Sequence, residues 1–526
     1  MRIRSRKKIH LHRIGALVAF LIPVATLGTI VGQVVNIFNE IPSFGTDERL
    51  RPDPSTFIVA NYSRLAEMAD FYDYRYEQFH IPLNFTVGTT FTSPSLTTVS
   101  SYRFSDNGAL WTGSALVGFV GKYVAAKNEN NAAMKANATR VIRKLVDGMA
   151  MMLAVPNGGL GSNYGAIVAR SWCPPQNKTN IPGVQYLFDM NHPKYFNGTG
   201  PYSQYRWSDY SSNDEYAGYY TGIAIAFKYL DEADAPDVYA KLKLIIDQLC
   251  AGMLRSNFLG IGGFGGPTGV DQKMRMFNGA SWSLLVLKMG ALAFPEKYAS
   301  IYYNFALENM NAYFGSKEGG IQEIVANYYA YNFGIDVCFA LLMLEEDPVL
   351  LARYTKNLED SIWYCVRYHR NPYFNAIYLA VQRATHGDGR FESIERDVED
   401  QLMEFDINHF PDVYKGVIAP PTTGPNAYKI VDFSKYKAFF TNNTIGVLFA
   451  PLFEEFELEG TFYDRPLTVK MKDSSIYMWD RNPFEPAWNV VQLNREEPGS
   501  SFAVPYWIMR GFCRMPSTGV RSPWTG

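Results

Sequence analysis

Apolar residues recur at helical spacing in segment after segment of this chain, and the segments come in pairs joined by very short connections. The spacing predicts helices at 61–79, 108–126, 131–153, 214–231, 236–254, 278–293, 297–314, 328–344, 348–368, 373–385, 389–404 and 436–450. ADAP (233–236) and PEK (295–297) are too short to let the chain do anything but reverse, so neighbouring helices run antiparallel. Two long excursions rich in Gly, Pro, Asn and Tyr interrupt the pairs, at 156–213 and 405–435. Stretches of that length inside a compact fold are where binding and catalysis tend to concentrate. The expected fold class is all-α: an (α/α)6 toroid over 61–450, with six inner helices around a central cleft and six outer ones. Short matches support repetition, Asn107–Trp111 with Asn278–Trp282 and Trp111-Thr112-Gly113 with Tyr220-Thr221-Gly222. In the second match an acid, Asp106 or Glu215, stands seven residues before the last glycine. After residue 450 the runs become short and β-like, so 451–526 is expected to be laid over the toroid as a C-terminal segment.

The amino terminus sets the expected location. Arg2, Arg4, Arg6, Lys7, Lys8 and Arg13 precede an uncharged run from Ile14 to Phe38, and Glu40, Asp47 and Glu48 follow it. The run is long enough for a hydrocarbon core of ~30 Å and longer than the apolar part of a cleaved signal. The flanking charges put residues 1–13 in the cytoplasm and everything after residue 40 outside. A cleaved signal is the alternative. Residues 41–60, with Pro42, Pro52 and Pro54, read as a linker. Gly28 and Gly32 form a GxxxG through which two membrane helices can pack as a homodimer. Sequons at Asn61, Asn84, Asn137, Asn177, Asn197 and Asn442 suit an exported domain.

Composition excludes several classes. A net charge of −2 provides no field for nucleic acid. The five cysteines and seven histidines form no CxxC, HExxH or mixed cluster, so no metal is expected. Cys173 and Cys513 fall in loop-like sequence, and whether they pair is open. GIGGFGGPTG (260–269) lacks the Lys-Ser/Thr of a phosphate loop and reads as a flexible loop at the cleft mouth. No cofactor is expected.

RWSDYSSNDEYAGYYTG (206–222) carries Asp209, Asp214 and Glu215 at a helix start. One reading is structural: Ser212 as N-cap and Glu215 at N3 make a capping box, and Asp214 favours the positive helix end. Ser105-Asp106-Asn107-Gly108 opens another helix in the same way. The other reading is chemical. Glycoside cleavage needs one carboxylic acid to protonate the leaving oxygen and a second carboxylate to attack or activate water. Asp106, Asp209, Asp214 and Glu215 are the candidate carboxylates. Trp111, Trp207, Tyr210, Tyr219 and Tyr220 are candidates to stack on sugar faces, and Arg170 to hold a carboxylated sugar. The two readings combine if Ser212 and Glu215 serve the cap while Asp214 and Asp106 face the cleft.

DNGALWTG (106–113), WSDYSSNDE (207–215), EEDPVLLARYTKNLEDSIW (345–363), NPYFNAIY (371–378), WDRNPF (479–484) and VPYWIMR (504–510) form an ordered series. It resembles a largely uncharacterised exported family that is itself similar to six-hairpin (α/α)6 glycosidases. The resemblance implies the toroid and a cleft holding Asp106, Asp209, Asp214 and Glu215. The stretch from Trp207 to Glu215 carries one extra residue, and in YYAYNFGID (328–336) Asp336 is the acid that remains of several implied there. Two functions follow as expectations. One is a membrane-anchored, outward-facing enzyme that hydrolyses or eliminates a glycosidic bond. The other is a non-catalytic glycan-binding or envelope scaffold.

Overall fold

The computed structural model describes residues 48–526 apart from 105–106, 190, 210–211, 274–278, 310–327, 387–390, 406–412, 425, 433, 435–460, 488–489 and 525–526, together with Gly28, Thr29 and Gly32. The Ile14–Phe38 span otherwise lies outside the described residues, as do Asp106, Tyr210, Asn442 and the helix expected at 436–450. Gly28 and Gly32 are helical and exposed. Among the described residues no helix is long and apolar enough to cross a membrane.

The described chain is mostly helical. The helices are α1 (Tyr62–Phe79), α2 (Gly108–Asn128), α3 (Ala132–Asn157), α4 (Asn213–Tyr229), α5 (Pro236–Arg255), α6 (Gly279–Ala293), α7 (Pro295–Asn309), α8 (Tyr329–Leu344), α9 (Pro348–Asp360), α10 (Ile362–Val366), α11 (Pro372–His386), α12 (Glu392–Met403) and α13 (Ser500–Phe512). Most begin and end within a few residues of the expected bounds. The helix expected over 348–368 is instead broken at Ser361, whose φ −119° and ψ −86° separate α9 from α10.

Contacts among these helices close on themselves. α2 packs on α4, α4 on α6 and α8, α6 on α8, α8 on α11, α11 on α13, and α13 back on α2. Outside this circuit α3 packs on α2, α5 and α7 on α6, α9 on α8, α12 on α11, and α1 on α13. The sequence explains the division. α2, α4, α8 and α13 are apolar nearly all round and are buried on every side, whereas α5 and α9 bury one face and carry charge on the other, and α12 buries charged residues as well, Arg396, Asp397, Glu399 and Asp400 among them.

Helix α13 corrects the expectation of an overlying tail, for it is a buried member of the circuit. Pro505 disguises it. Proline lacks the N–H that would reach the carbonyl four residues back, and that carbonyl, Ser501 O, accepts the indole Nε1–H of Trp479 at 2.6 Å instead. Pro156 near the end of α3 is accommodated in the same way: Met152 O accepts the N–H of Ala169 at 3.0 Å.

Short antiparallel strands qualify the all-helical expectation. β1 (Gly88–Phe91), β2 (Val99–Arg103), β11 (Val491–Glu496) and β8 (Val413–Lys415) form one sheet in the order β2-β1-β11-β8. β3 (Ser171–Cys173), β5 (Arg206–Ser208) and β4 (Tyr195–Asn197) form another, with Trp172, Trp207 and Phe196 in cross-strand register. β6 (Leu259–Ile261) and β7 (Pro267–Asp271) make a hairpin, and β9 (Ile430–Asp432) pairs with β10 (Thr461–Tyr463). Strands thus fold the 156–213 excursion back on the helices. All five cysteines are free and buried, Cys173 and Cys513 included. Of the described sequons, Asn177 and Asn197 are exposed and Asn61, Asn84 and Asn137 are partly buried.

Candidate functional site

The site is built where α2 and α4 touch backbone to backbone. A Cβ on Gly113 would lie 1.8 Å from Gly218 O, and one on Gly222 would lie 2.7 Å from the Cα of Gly113. The two similar Thr-Gly pairs in the sequence are therefore the two sides of one helix crossing. This approach brings the first turn of α4 against the first turn of α2. Glu215 reaches across: its Oε2 accepts the N–H groups of Ala109 at 3.1 Å and Leu110 at 3.3 Å.

The capping box is thereby corrected. Ser212 stands at the N-cap of α4 with extended backbone, but its side chain makes no cap bond. Its hydroxyl donates to Asp214 Oδ1 and accepts from Arg170 Nη2 at 3.0 Å. Glu215 accepts from the first turn of α2 rather than from its own helix, across the close approach that the glycines allow. Burial pushes the Glu215 carboxyl well above its ordinary value, opposed by Arg170, whose Nε lies 3.8 Å from Oε1, while the nearby charge of Asp214 adds to the rise.

Asp209 is also engaged. It is buried, and its Oδ2 accepts the N–H of Gly263, at the tip of the β6–β7 hairpin, at 2.6 Å. Of the aromatic candidates, the described Trp111, Trp207, Tyr219 and Tyr220 lie in the core instead of lining an open groove. Trp111 packs on Tyr477 with centroids 5.3 Å apart, and Trp207 stacks on Phe196 at 5.2 Å. The buried Tyr219 and Tyr220 donate to Met149 O and Gln272 Oε1. These residues sit on apolar helices and in a central strand, and their ring faces are covered by neighbours. Arg170 is buried beside Ser212 and Glu215, so its guanidinium is held by protein groups.

The structure brings in Asp480 and the phenols of Tyr373 and Tyr477, which sequence reasoning did not single out, together with Asp336, which it did. Asp480 ends a short turn, Met478–Asp480, within the electrostatic reach of Asp214. Burial raises its carboxyl to about 6, the Arg481 charge opposes this, and the charge of Asp214 raises it further. Behind it lies Tyr477, whose phenol is pushed well above its ordinary value by burial and by the charges of Asp336 and Asp480. Tyr477 meets Tyr373 edge-on at 5.2 Å, and Tyr373 donates to Asp336 Oδ1. Burial raises Asp336 to about 7, against the opposing hydrogen bond from Tyr373. Asp480, Tyr477 and Asp336 are thus coupled through their charges and through Tyr373, and Asp214 acts on Asp480 from the start of α4. Among the described residues, Glu215 Oε1, Asn213 Oδ1, Asp480 Oδ1 and the Tyr477 hydroxyl are buried without a hydrogen-bond partner. A signal was present: IYMWD (476–480) is an acid at the end of an apolar run, the surroundings that raise a carboxyl.

A carboxyl raised toward neutrality and acted on by a second carboxylate is what general acid catalysis requires. No group of His, Cys, Asp and Glu suited to a metal ion occurs among the described residues. No family model matches the chain, and neither curated proteins nor solved structures show significant similarity to it.

Proposed function

We propose that this chain is a membrane-anchored, outward-facing enzyme that cleaves glycosidic bonds, with Asp480 as the proton donor and Asp214 as the companion carboxylate. The single observation that carries the reading is the buried Asp480 carboxyl, its Oδ1 without a hydrogen-bond partner among the described residues, raised to about 6 by burial and further by the charge of Asp214, and therefore able to hold a proton in mildly acidic surroundings. The closed circuit of six helices with partners outside it supports an (α/α)6 toroid. The anchor rests on the uncharged Ile14–Phe38 run after a basic head.

The full chain in detergent, screened against neutral and uronic oligosaccharides, provides the test. Asp480→Asn and Asp214→Asn preserve shape and remove the acid. Each is expected to lower turnover by about a hundredfold or more with little change in melting temperature. Full turnover in both variants would sink the assignment.

A second reading, a non-catalytic glycan-binding or envelope scaffold, is favoured by a different observation. Glu215 and Asp209 are bound to backbone amides, and Trp111, Trp207, Tyr219 and Tyr220 are in the core. Glycan binding without turnover in the wild-type chain would select it.

A further inference from the structure

The β6–β7 hairpin has an unusual tip. Its sequence, GGFGG (262–266), surrounds one large ring with glycines. The tip is nonetheless ordered by hydrogen bonds: Gly262 N–H donates to Gly266 O at 3.0 Å and Gly265 N–H to Gly262 O at 2.9 Å, with Gly265 in the left-handed region at φ +76°. It is also pinned from outside. The Asp209 carboxylate, itself 6% exposed, accepts the Gly263 N–H. Burying a carboxylate is costly unless it is well bonded, so this contact fixes the tip against the acidic stretch.

Phe264 is left in solvent by the same arrangement. It is 80% exposed, more than any other large hydrophobic residue described. Single exposed apolar residues are common on protein surfaces and usually signify nothing. Phe264 differs in its footing. It meets Phe196 at a centroid distance of 4.9 Å and an interplanar angle of 84°, and Phe196 stacks on Trp207, two residues before Asp209. The ring is therefore the outer end of an aromatic row, Trp207, Phe196 and Phe264, whose inner end adjoins the chain leading into Asp214. The glycines on either side keep other side chains off it, and a Cβ on Gly265 or Gly266 would meet nothing within 4 Å.

We infer that Phe264 is a sugar-stacking residue at the mouth of the site, binding a pyranose ring of an oligosaccharide that extends outward from Asp214 and Asp480. The inference rests on the carbohydrate reading above and deepens it. A benzene face matches the C–H face of a pyranose, and a tip fixed in advance loses little freedom on binding. Asp209 acts here as a positioning residue, through the hairpin.

The test uses the full chain and its Phe264→Ala and Phe264→Trp variants, with isothermal titration of cellohexaose, chitohexaose and maltohexaose and of the matching disaccharides. The expected result is that a hexasaccharide binds the wild type, that Phe264→Ala weakens it about tenfold, and that Phe264→Trp retains it. The matching disaccharide, which has fewer sugar rings to reach the hairpin, should lose less affinity in Phe264→Ala than the hexasaccharide does. Equal hexasaccharide binding by wild type and Phe264→Ala would overturn the platform and leave the carbohydrate reading standing. Failure of these sugars, and of uronic oligosaccharides of the same lengths, to bind the wild type would remove both. Co-sedimentation with phosphatidylcholine vesicles that is lost in Phe264→Ala, with sugar binding unchanged, would overturn the inference by assigning the ring to a lipid surface.

Discussion

Glu215, in the first turn of α4, accepts the backbone N–H of Ala109, in the first turn of α2, at 3.1 Å. One carboxyl thus joins two helix starts and closes the crossing made by their glycines. Its pKa is raised by burial above the ordinary 4.5. A raised folded-state value means that this group's contribution is fully present below about 4.5 and is lost as pH rises through the folded value. Urea unfolding at pH 5 and pH 8 should therefore show the wild type losing stability relative to Glu215→Gln as pH rises. Glu215→Ala, which leaves two helix N–H groups without an acceptor, should cost about 1–3 kcal/mol at pH 5. Equal stability of the Gln and Ala variants at both pH values would show that the bond across the crossing contributes nothing.

The crossing itself is tested by one methyl group. A Cβ on Gly113 would stand 1.8 Å from a backbone oxygen, and helix backbone cannot yield as a flexible side chain does. Gly113→Ala should cost about 3 kcal/mol or more, despite the better helix propensity of alanine. Gly266→Ala, where a Cβ meets nothing within 4 Å, is the control and should change the denaturation midpoint little.

What could be read from the sequence was local. Helical spacing located α1 to α8 closely, because an apolar stripe or an all-apolar run is visible within one segment. The Thr-Gly pairs were visible too, but not that Gly113 and Gly222 meet each other. Glu215 looked like a cap for its own helix because the capping box is a spacing rule, whereas its actual acceptor role depends on residues over a hundred positions away. Helix α13 was hidden by Pro505, since the indole of Trp479 that satisfies Ser501 O comes from a separate segment. Asp480 and Asp336 drew little notice because a carboxyl's chemistry follows from burial, and burial is a property of the assembled helices.

Asp336 gives the clearest dependence on pH. It is fully buried in α8 and raised to about 7 by that burial. The sign is that of a raised acid: its contribution is complete below the ordinary carboxylate range and is lost as pH rises through about 7. Asp336→Asn should leave stability at pH 5 nearly unchanged and remove much of the wild-type decline between pH 5 and pH 8. At pH 8 the variant should be the more stable by a few kcal/mol. Parallel stability curves for the two proteins across that range would show that Asp336 does not titrate there.

The Trp479–Pro505 relationship supplies a prediction that is independent of any substrate. The indole Nε1–H of Trp479 donates to Ser501 O, the carbonyl that the proline at 505 leaves without its helical donor. Trp479→Phe keeps a ring in the core but removes the N–H, so a buried carbonyl loses its bond at a cost of about 1–3 kcal/mol, with a further loss from the smaller ring. Pro505→Ala restores a backbone N–H at 505 that can reach the same carbonyl. The two changes should therefore be coupled, with Trp479→Phe less damaging in the Pro505→Ala background by about 1 kcal/mol. Denaturant unfolding of the wild type, both single variants and the double variant measures that coupling directly. Strict additivity would mean that the tryptophan stabilises α13 by packing alone and that the tolerance of proline in this helix has another cause.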